Sequence, residues 1–378
     1  MLQKTILIVV SDLGSFISNR LQIAIIAKRK GYKVHVAFGE YGKGKKSKLI
    51  NNKIKSHFLN MKRGFSNPFN EIFSFIKIYK LIRIIKPDIV HLVTIKPYLY
   101  GGIVARITNT KAVISAVAGL GSLFIEKDIF SNFLRKLLYP LFKIAFGHIN
   151  QKIILQNKDD KKLLINWGVL KPSKAIVLKG SGVNLSKFKY FKEIKKKKPI
   201  ITFIARLIHH KGILEFVSAA KYLNKIGINA RFWIVGEIDP ENPSSLKKID
   251  IDELKKNKFL EFKGYQKYMN KIYSKSNIVC LPSYREGMSL TLLEASAAGR
   301  AIVTTNVPGC RDAIIPHKTG LLVPVKNSKL LANSLKYLIK NDEIRMKMGR
   351  KGRSFAEKNF DIKKIVVNHL IIYKDLLS

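Results

Sequence analysis

A strand, a glycine-containing turn, a helix and a second strand follow one another at the start of the chain. The apolar run 5–10 predicts a buried strand, the turn after it contains Gly14, and a helix separates this turn from a strand at 34–38. The same order begins again with a strand at 200–205 and a turn at 206–212. This alternation is typical of nucleotide-binding folds with parallel sheets. The GxGxxG fingerprint is absent, so we do not expect a dinucleotide ligand.

The chain has 378 residues, which is long enough for two domains. Residues 189–199 are charged, lack hydrophobic periodicity and end in proline, as is typical of an interdomain linker. We therefore predict an N-terminal domain over 1–188 and a C-terminal domain over 200–360. A helical segment over 361–378 ends the chain.

The formal net charge of +45 is extreme and would suit nucleic acid or an anionic membrane surface. The lysines are scattered and not clustered, which disfavours nucleic acid, and most of the charge is explained by lysine filling exposed positions. Two basic stretches are also amphipathic. Residues 69–86 could pack on the sheet with their lysines outward or lie on a membrane, and we expect packing alone. Residues 130–146 leave two readings open, a membrane-facing surface or a core helix kinked at Pro140.

The lengths of the apolar runs and the number of cysteines indicate where in the cell such a chain would fold. The longest apolar runs are interrupted by Lys or Arg before they reach membrane-spanning length, so no transmembrane helix is predicted. The two cysteines, Cys280 and Cys310, fit a reduced cytosolic compartment and no disulfide framework.

Two glutamates with seven residues between them lie in the most informative stretch, residues 281–305. Glu286 lies in the loop that leaves a predicted strand, and Glu294 lies on the early turns of the helix that follows. Ser289 is placed to cap this helix. Backbone N–H groups at a helix N-terminus attract phosphate, and here they belong to Gly287, Met288 and Ser289. Two acceptors for hydroxyl groups beside one anion site suit a nucleotide-sugar.

Two cations lie in the turn after the strand at 200–205. Arg206 and Lys211 leave the carboxyl end of that strand, and Gly212 opens the next helix. A guanidinium fork, an ammonium group and a helix N-terminus together suit a diphosphate, although each cation alone could be an ordinary surface charge. Both this turn and the loop of Glu286 belong to the carboxyl edge of one sheet. No His, Cys or Asp cluster has metal-ligand spacing, so no metal site is predicted.

Glycines and one lysine mark strand ends in the N-terminal domain. Residues 94–102 are predicted to form a loop at the end of a strand, where Lys96 is a candidate for an anionic group. Gly119 and Gly121 follow another strand, and glycine permits a close approach of backbone to ligand. Gly14 could approach a ligand or could only relieve a tight turn.

Several motifs resemble those of one enzyme family. The two glutamates lie within PSYREG and LLEA, the two cations within ARLIHHKG, and the segments KGSGVN (179–184) and VPGCRD (307–312) also occur. On these residues the whole chain is similar to the retaining family 4 glycosyltransferases of the GT-B fold. TIKPYLYGG, AGLGSLF and DPENPSS look like segments of enzymes that extend undecaprenyl-diphosphate-linked sugars. Met288-Ser289 departs from the family pattern, because many members have an aromatic residue or Met followed by Pro at these two positions. The departure would affect the contact with the donor sugar.

The resemblance implies a fold and a role for each site residue. The fold would be α/β GT-B, with two Rossmann-like doubly wound domains facing across a cleft and the C-terminal helix crossing back to the N-terminal domain. Glu294 would hold the ribose hydroxyls, and the catalytic Glu286 would contact the donor sugar near the reacting centre. The diphosphate would be held, without a metal ion or another cofactor, by Arg206, Lys211, Gly287, Met288 and Ser289.

In the N-terminal domain, the resemblance places Gly14 against the donor and Lys96, Gly119 and Gly121 beside the acceptor. The implied reaction moves an N-acetylhexosamine or hexose from a UDP-sugar to an undecaprenyl-diphosphate-linked saccharide, in surface polysaccharide or glycan assembly. The implied location is the inner face of the cell membrane, by peripheral association with its anionic surface. Two alternatives remain, a UDP-sugar 2-epimerase of the same fold and a non-catalytic basic protein that binds a membrane or nucleic acid.

Overall fold

The chain forms two compact units. The first comprises Met1–Ser181 and Lys363–Ser378, and the second comprises Gly182–Ile362. Each unit contains one parallel β-sheet and several helices, which confirms the predicted α/β class. The computed structural model describes residues 3–42, 44–62, 64, 67–121, 124 and 128–378.

Seven strands form the sheet of the first unit. They are β1 (Thr5–Asp12), β2 (Lys33–Glu40), β3 (Lys55–Phe58), β4 (Ile89–Val93), β5 (Ala112–Val117), β6 (Gln151–Leu155) and β7 (Ala175–Val177). The helices are α1 (Leu13–Asn19), α2 (Leu21–Arg29), α3 (Ser47–Ile50), α4 (Pro68–Ile85), α5 (Ile95–Ile107), α6 (Ile129–Ala145) and α7 (Lys158–Asn166). The strand order is β3-β2-β1-β4-β5-β6-β7. The order changes direction between β1 and β4, which is where open α/β sheets bind ligands.

Six strands form the sheet of the second unit. They are β8 (Ile200–Ile204), β9 (Arg231–Val235), β10 (Leu260–Gly264), β11 (Ile278–Leu281), β12 (Ala301–Thr305) and β13 (Gly320–Val323). The helices are α8 (Ile213–Lys225), α9 (Lys248–Lys255), α10 (Met269–Lys275), α11 (Leu290–Ala297), α12 (Ser328–Lys340) and α13 (Asp342–Asn359). The order β10-β9-β8-β11-β12-β13 has its change of direction between β8 and β11.

Apolar runs account for the central strands. All residues of β4 and β8 are buried, as expected for parallel strands that helices cover on both faces. Polar caps account for several helix starts. Before α4, the Asn67 side chain accepts a hydrogen bond from the Asn70 N–H at 2.9 Å, and Pro68 opens the helix.

The last helix, α14 (Ile362–Leu377), packs in the first unit through buried polar contacts. Arg20 donates to Nε2 of His369 at 3.1 Å, and Nδ1 of His91 shares a hydrogen bond with the Tyr373 hydroxyl at 2.7 Å. Burial lowers the pKa of His369 to about 3, so this imidazole is neutral and can accept from Arg20. These contacts confirm the predicted return of the C-terminal helix to the N-terminal part of the chain.

Most residues of the segment 189–199, which we predicted to be the interdomain linker, are exposed, but one acidic side chain anchors the segment in the second unit. Glu193 is buried and accepts hydrogen bonds from Nε of Arg345 and Nδ2 of Asn277, both at 2.8 Å. The boundary between the units accordingly lies after Ser181. The many lysines of the segment conceal this single buried carboxylate in the sequence.

Two predicted loops of the first unit are helical. Residues 95–102 belong to α5, and the predicted turn at 11–16 is the end of β1 followed by the start of α1, which the Asp12 side chain caps at 2.6 Å from the Ser15 N–H. Gly14 suggested the turn at 11–16, but it has no positive φ; the position after a strand suggested the loop at 94–102, but a helix begins there at Ile95. Across the residues that the structure describes, no helix combines the length and apolarity needed to span a bilayer.

Candidate active site

The site residues of the second unit lie at the change of strand order between β8 and β11. These strands pair in parallel, with Ile201 opposite Ile278. The loop 205–212 leaves β8, and the loop 282–289 leaves β11. Their shared sheet edge explains why cations and carboxylates that are about 80 residues apart in sequence come together.

Close backbone contacts join these two loops. Gly212 has a φ of +75°, and a Cβ atom at this position would lie 2.1 Å from the Pro282 carbonyl oxygen. The Tyr284 N–H and the Ser283 hydroxyl both donate to the His210 carbonyl, at 2.9 and 3.0 Å. The glycine is therefore required both by its backbone conformation and by the approach of the second loop.

Lys211 and Glu286 form an ion pair across the two loops. The side chains are only 19% and 12% exposed, so the pair is largely shielded from water. The Glu286 N–H donates to the Pro308 carbonyl at 3.1 Å, and a Cβ atom on Gly309 would lie 2.4 Å from the Glu286 carbonyl oxygen. The structure therefore brings the predicted catalytic carboxylate and one predicted phosphate-binding cation into direct contact.

Arg206 lies in the loop that leaves β8, near its beginning. Its guanidinium is paired with Asp239, and its side chain is half exposed. Asp239 itself is buried, and its N–H donates to Oγ of Ser245 at 2.9 Å. The sequence placed a candidate cation at Arg206 but gave no sign of this carboxylate, because the two residues are 33 positions apart.

The start of α11 differs from our prediction in its details. Ser289 occupies the N-cap position, but its side chain makes no capping hydrogen bond. Its N–H donates to the Gly309 carbonyl at 3.3 Å, so this group is not available to a phosphate in the way predicted. Gly287 and Met288 are buried. The donors that a helix start leaves without intrahelical partners are those of the first turn, which begins here at Leu290.

Glu294 faces a buried tyrosine within the second unit. The Tyr273 hydroxyl lies 3.0 Å from Oε2 of Glu294 and 3.2 Å from the Thr291 carbonyl. Burial raises the pKa of the Glu294 carboxyl to about 7, although the Tyr273 hydroxyl and the positive charge of Lys187 act against the rise. Glu294 is therefore poised between its neutral and ionised forms near neutral pH. Tyr273 is a site residue that the sequence pattern did not reveal.

The ammonium group of Lys96, a predicted acceptor contact, is paired within the first unit. Its side chain is buried, and Nζ lies 2.7 Å from Oε1 of Glu71 on α4. Tyr100 donates to the other oxygen of Glu71 at 2.6 Å. The predicted loop is the start of α5, and this helix turns the lysine toward α4.

The three predicted site glycines of the first unit differ in backbone conformation. Gly14 lies in α1 without a positive φ, and a Cβ atom on Gly44 would lie 2.6 Å from the Gly14 nitrogen. Gly119 and Gly121 have φ values of +139° and +64°, so both positions require glycine. The neighbouring residues 122–123 of this glycine loop lie outside the described residues.

In the described part of the chain, no three His, Cys, Asp or Glu side chains are close enough to hold a metal ion together. Cys280 and Cys310 are buried free thiols, and burial raises the pKa of each above its usual range. The polar chemistry of the site is thus supplied by two ion pairs, one carboxyl–tyrosine pair and the start of one helix.

Two family models match the chain. "Glycosyl transferase 4-like" matches residues 7–157, and "Glycosyl transferases group 1" matches residues 186–355. The second region contains the whole cluster of Arg206, Lys211, Glu286 and Glu294. The chain belongs to the glycosyltransferases.

Curated relatives and a solved structure resemble this glycosyltransferase over most of its length. It is 29% identical over 328 residues to the N,N'-diacetylbacillosaminyl-diphospho-undecaprenol alpha-1,3-N-acetylgalactosaminyltransferase of Campylobacter jejuni, with 84% of each chain covered. It is 28% identical over 316 residues to the UDP-Gal:alpha-D-GlcNAc-diphosphoundecaprenol alpha-1,3-galactosyltransferase of Escherichia coli, covering 80% of this chain and 79% of the relative. A solved glycosyltransferase from Rickettsia africae shares the fold, with a TM-score of 0.76, 21% identity and all of both chains covered. These likenesses confirm the expected GT-B fold family.

Proposed function

We propose that this glycosyltransferase moves an N-acetylhexosamine or hexose from a UDP-sugar to an undecaprenyl-diphosphate-linked saccharide, with retention of the anomeric configuration. The observation that carries the proposal is the Lys211–Glu286 ion pair beside the start of α11, at the change of strand order. The Campylobacter and Escherichia coli relatives support the lipid-linked acceptor, and the second supports a UDP-linked donor. The proposal places the reaction in surface polysaccharide or glycan assembly.

Each charged group has a proposed task on the donor. Glu294 accepts hydrogen bonds from the ribose hydroxyls, and Tyr273 orients its carboxyl. Arg206 and Lys211 hold the diphosphate, together with the N–H groups at the start of α11. An arriving diphosphate competes with Glu286 for Lys211, which turns the Glu286 carboxylate toward the donor sugar. These cations take the place of a metal ion, so we propose metal-independent transfer.

The transfer itself breaks one bond and forms one bond. The bond between the anomeric carbon and the β-phosphate oxygen breaks, and its electron pair stays on that oxygen. The acceptor hydroxyl oxygen bonds to the anomeric carbon on the same face, and its proton passes to the departing phosphate. Arg206 and Lys211 stabilise the negative charge as it develops on the leaving group, and Glu286 faces the positive charge that develops on the sugar.

A screen of UDP-sugars tests the proposal. The purified chain is incubated with UDP-sugars and detergent-solubilised undecaprenyl-diphosphate mono-, di- and trisaccharides, and UDP release is measured beside the mass of the glycolipid. We expect one donor to give both UDP and an extended glycolipid. A sugar epimer formed without any acceptor would favour the 2-epimerase, and no turnover of any UDP-sugar would overturn the proposal.

The first unit carries a surface that suits a membrane-linked acceptor. One face of α6 packs in the core through Leu138, Phe142 and Ala145, and the opposite face leaves a stripe of apolar side chains exposed. This stripe consists of Ile129, Phe133, Leu137, Leu141 and Ile144. The buried face fits the reading of a core helix, with Pro140 inside it, and the exposed stripe supports the reading of a membrane-facing surface. α4 also exposes apolar residues, in contrast to our expectation of outward lysines alone; they include Phe69, Ile72 and Phe73.

We propose that this stripe rests on the anionic inner face of the cell membrane. Lys136 and Lys143 lie on the same helix and would contact anionic headgroups while the apolar residues enter the interface. Peripheral binding of this kind would hold the enzyme at the surface that carries its lipid-linked acceptor.

Replacing Phe133 and Leu137 with serine is expected to weaken binding to phosphatidylglycerol vesicles at least tenfold, because two large apolar side chains leave the interface. Co-sedimentation measures the effect. The matched control replaces Val367 and Ile371 with serine, since these residues are equally exposed on α14 and have the same spacing. Equal vesicle binding by both double variants would contradict the assignment.

UDP binding is expected to strengthen as the pH rises toward about 7.5 and then to level off. Burial holds the pKa of the free Glu294 carboxyl at about 7, whereas ribose hydroxyls donate to the ionised form and lower that pKa. Since about half of the free carboxyls are protonated at pH 7, binding at this pH releases up to about half a proton per UDP. Calorimetry in buffers of different ionisation enthalpy measures this release, and Glu294→Gln should abolish it. If the wild type and Glu294→Gln released the same number of protons, the release would come from the UDP phosphates and not from Glu294.

A further inference from the structure

Two solvent-exposed aromatic rings stack on each other at the carboxyl edge of the first unit's sheet. Tyr41 directly follows β2, and Phe58 is the last residue of β3. Their ring centroids are 5.2 Å apart with an angle of 30° between the planes, yet the side chains are 42% and 51% exposed. The buried ring of Phe38 supports both from below, with centroid distances of 5.0 and 5.6 Å. We call Tyr41 and Phe58 the aromatic platform.

Glycines hold the platform against the end of β1. Gly42 has a φ of +51°, and a Cβ atom there would lie 1.9 Å from a carboxylate oxygen of Asp12. A Cβ atom on Gly39 would lie 2.7 Å from the Ser11 carbonyl oxygen. The positive φ at Gly42 and the backbone contact at Gly39 both require glycine, and the two residues place the segment around Tyr41 against the strand that borders the change of strand order. The platform is thus a fixed part of the ligand-binding edge.

The distance of the aromatic platform from β1 determines how many sugar rings a ligand needs to reach it. Since neighbouring strands are about 4.8 Å apart, β2 and β3 lie about one and two strand spacings from β1. A ligand held at the end of β1 would therefore reach Tyr41 and Phe58 with its next one or two sugar rings. A monosaccharide held at β1 would be too short to cover both rings.

The chemistry of a pyranose fits such a surface. Its axial C–H groups form an apolar face that gains dispersion and hydrophobic contact on an aromatic ring, while its hydroxyl groups stay in water. Half-exposed, stacked rings supply one broad face and keep their edges hydrated. A lipid chain would instead favour a wider apolar surface such as that of α6.

We propose that the aromatic platform binds the saccharide part of the lipid-linked acceptor and sets a preference for acceptors with more than one sugar. This inference rests on the proposed function, because it assigns a subsite to the acceptor of that reaction. It concerns Tyr41 and Phe58 as residues that contact the acceptor away from the reacting atoms.

The test compares acceptors of different length. Short-chain polyprenyl-diphosphate mono-, di- and trisaccharides are assayed with Tyr41→Ala, Phe58→Ala and the ring-retaining Tyr41→Phe. We expect both alanine variants to raise KM about tenfold for the longer acceptors and to leave kcat and the KM for the donor unchanged. Tyr41→Phe and the control Tyr222→Ala, an exposed aromatic residue of α8 in the second unit, should behave as the wild type.

Two further readouts separate the possible failures. Saturation-transfer NMR with the free di- or trisaccharide measures contact without turnover, so it reports on the platform even if no UDP-sugar is used. Vesicle co-sedimentation measures lipid contact. An unchanged KM and unchanged saccharide contact in the alanine variants would overturn the inference, as would a loss of vesicle binding with an unchanged KM.

Discussion

Glu286→Gln is expected to lower kcat by about a thousandfold, whereas UDP should bind at least as tightly because its diphosphate no longer competes with a carboxylate for Lys211. Glutamine keeps the size of the side chain but removes its negative charge, which faces Lys211 and, in our proposal, the positive charge that develops on the donor sugar. The nucleotide contacts assigned to Glu294 and Arg206 are untouched. Steady-state kinetics with the UDP-sugar found in the screen measures kcat, and calorimetry measures UDP affinity.

The matched control for this substitution is Glu261→Gln in the same unit. Glu261 is also paired with cations, Arg231 at 2.6 Å and Lys263 at 2.7 Å, but it lies on β10 and has no proposed role in the site. We expect its kcat to equal that of the wild type. Combining Glu286→Gln with Lys211→Met should cost less than the sum of the single effects, because the two groups act as one pair. Full turnover by Glu286→Gln would rule out its catalytic assignment.

The elements of the fold that could be predicted from the sequence are those whose structure depends on a short segment alone. The apolar runs of β1 and β8 indicated both Rossmann-like patterns, because burial on two faces leaves a continuous hydrophobic segment. The loop of Glu286 could be placed at a strand end for the same reason. The family motifs then supplied roles that spacing alone left open.

The partners of buried charges were the part that the sequence could not supply. Lys96 looked like a free cation, yet its partner Glu71 lies on another helix, 25 residues earlier. Glu193 looked like one charge in a basic linker, yet it pairs with Arg345, 152 residues later. Such pairs depend on how helices and loops pack, and a pattern of one segment carries no information about the element against which it will pack.

The contact between the two site loops leads to the second large effect. Gly212→Ala is expected to lower the free energy of unfolding by about 3 kcal/mol and kcat/KM by about a hundredfold. The positive φ accounts for part of the cost, and the Cβ atom would also lie 2.1 Å from the Pro282 carbonyl oxygen. The backbone must move to relieve this overlap, and that movement separates Lys211 from Glu286. Chemical denaturation and steady-state kinetics measure the two effects.

Gly227→Ala is the control that separates conformational strain from loop contact. Gly227 lies in the same unit and has a φ of +72°, close to the +75° of Gly212, but a Cβ atom there would meet nothing within 4 Å. We expect this variant to lose only about 1 kcal/mol of stability and to keep its activity. The difference between the two variants then measures what the close approach of the loops contributes. If both lose the same stability and neither loses activity, the loop contact does not position the Lys211–Glu286 pair.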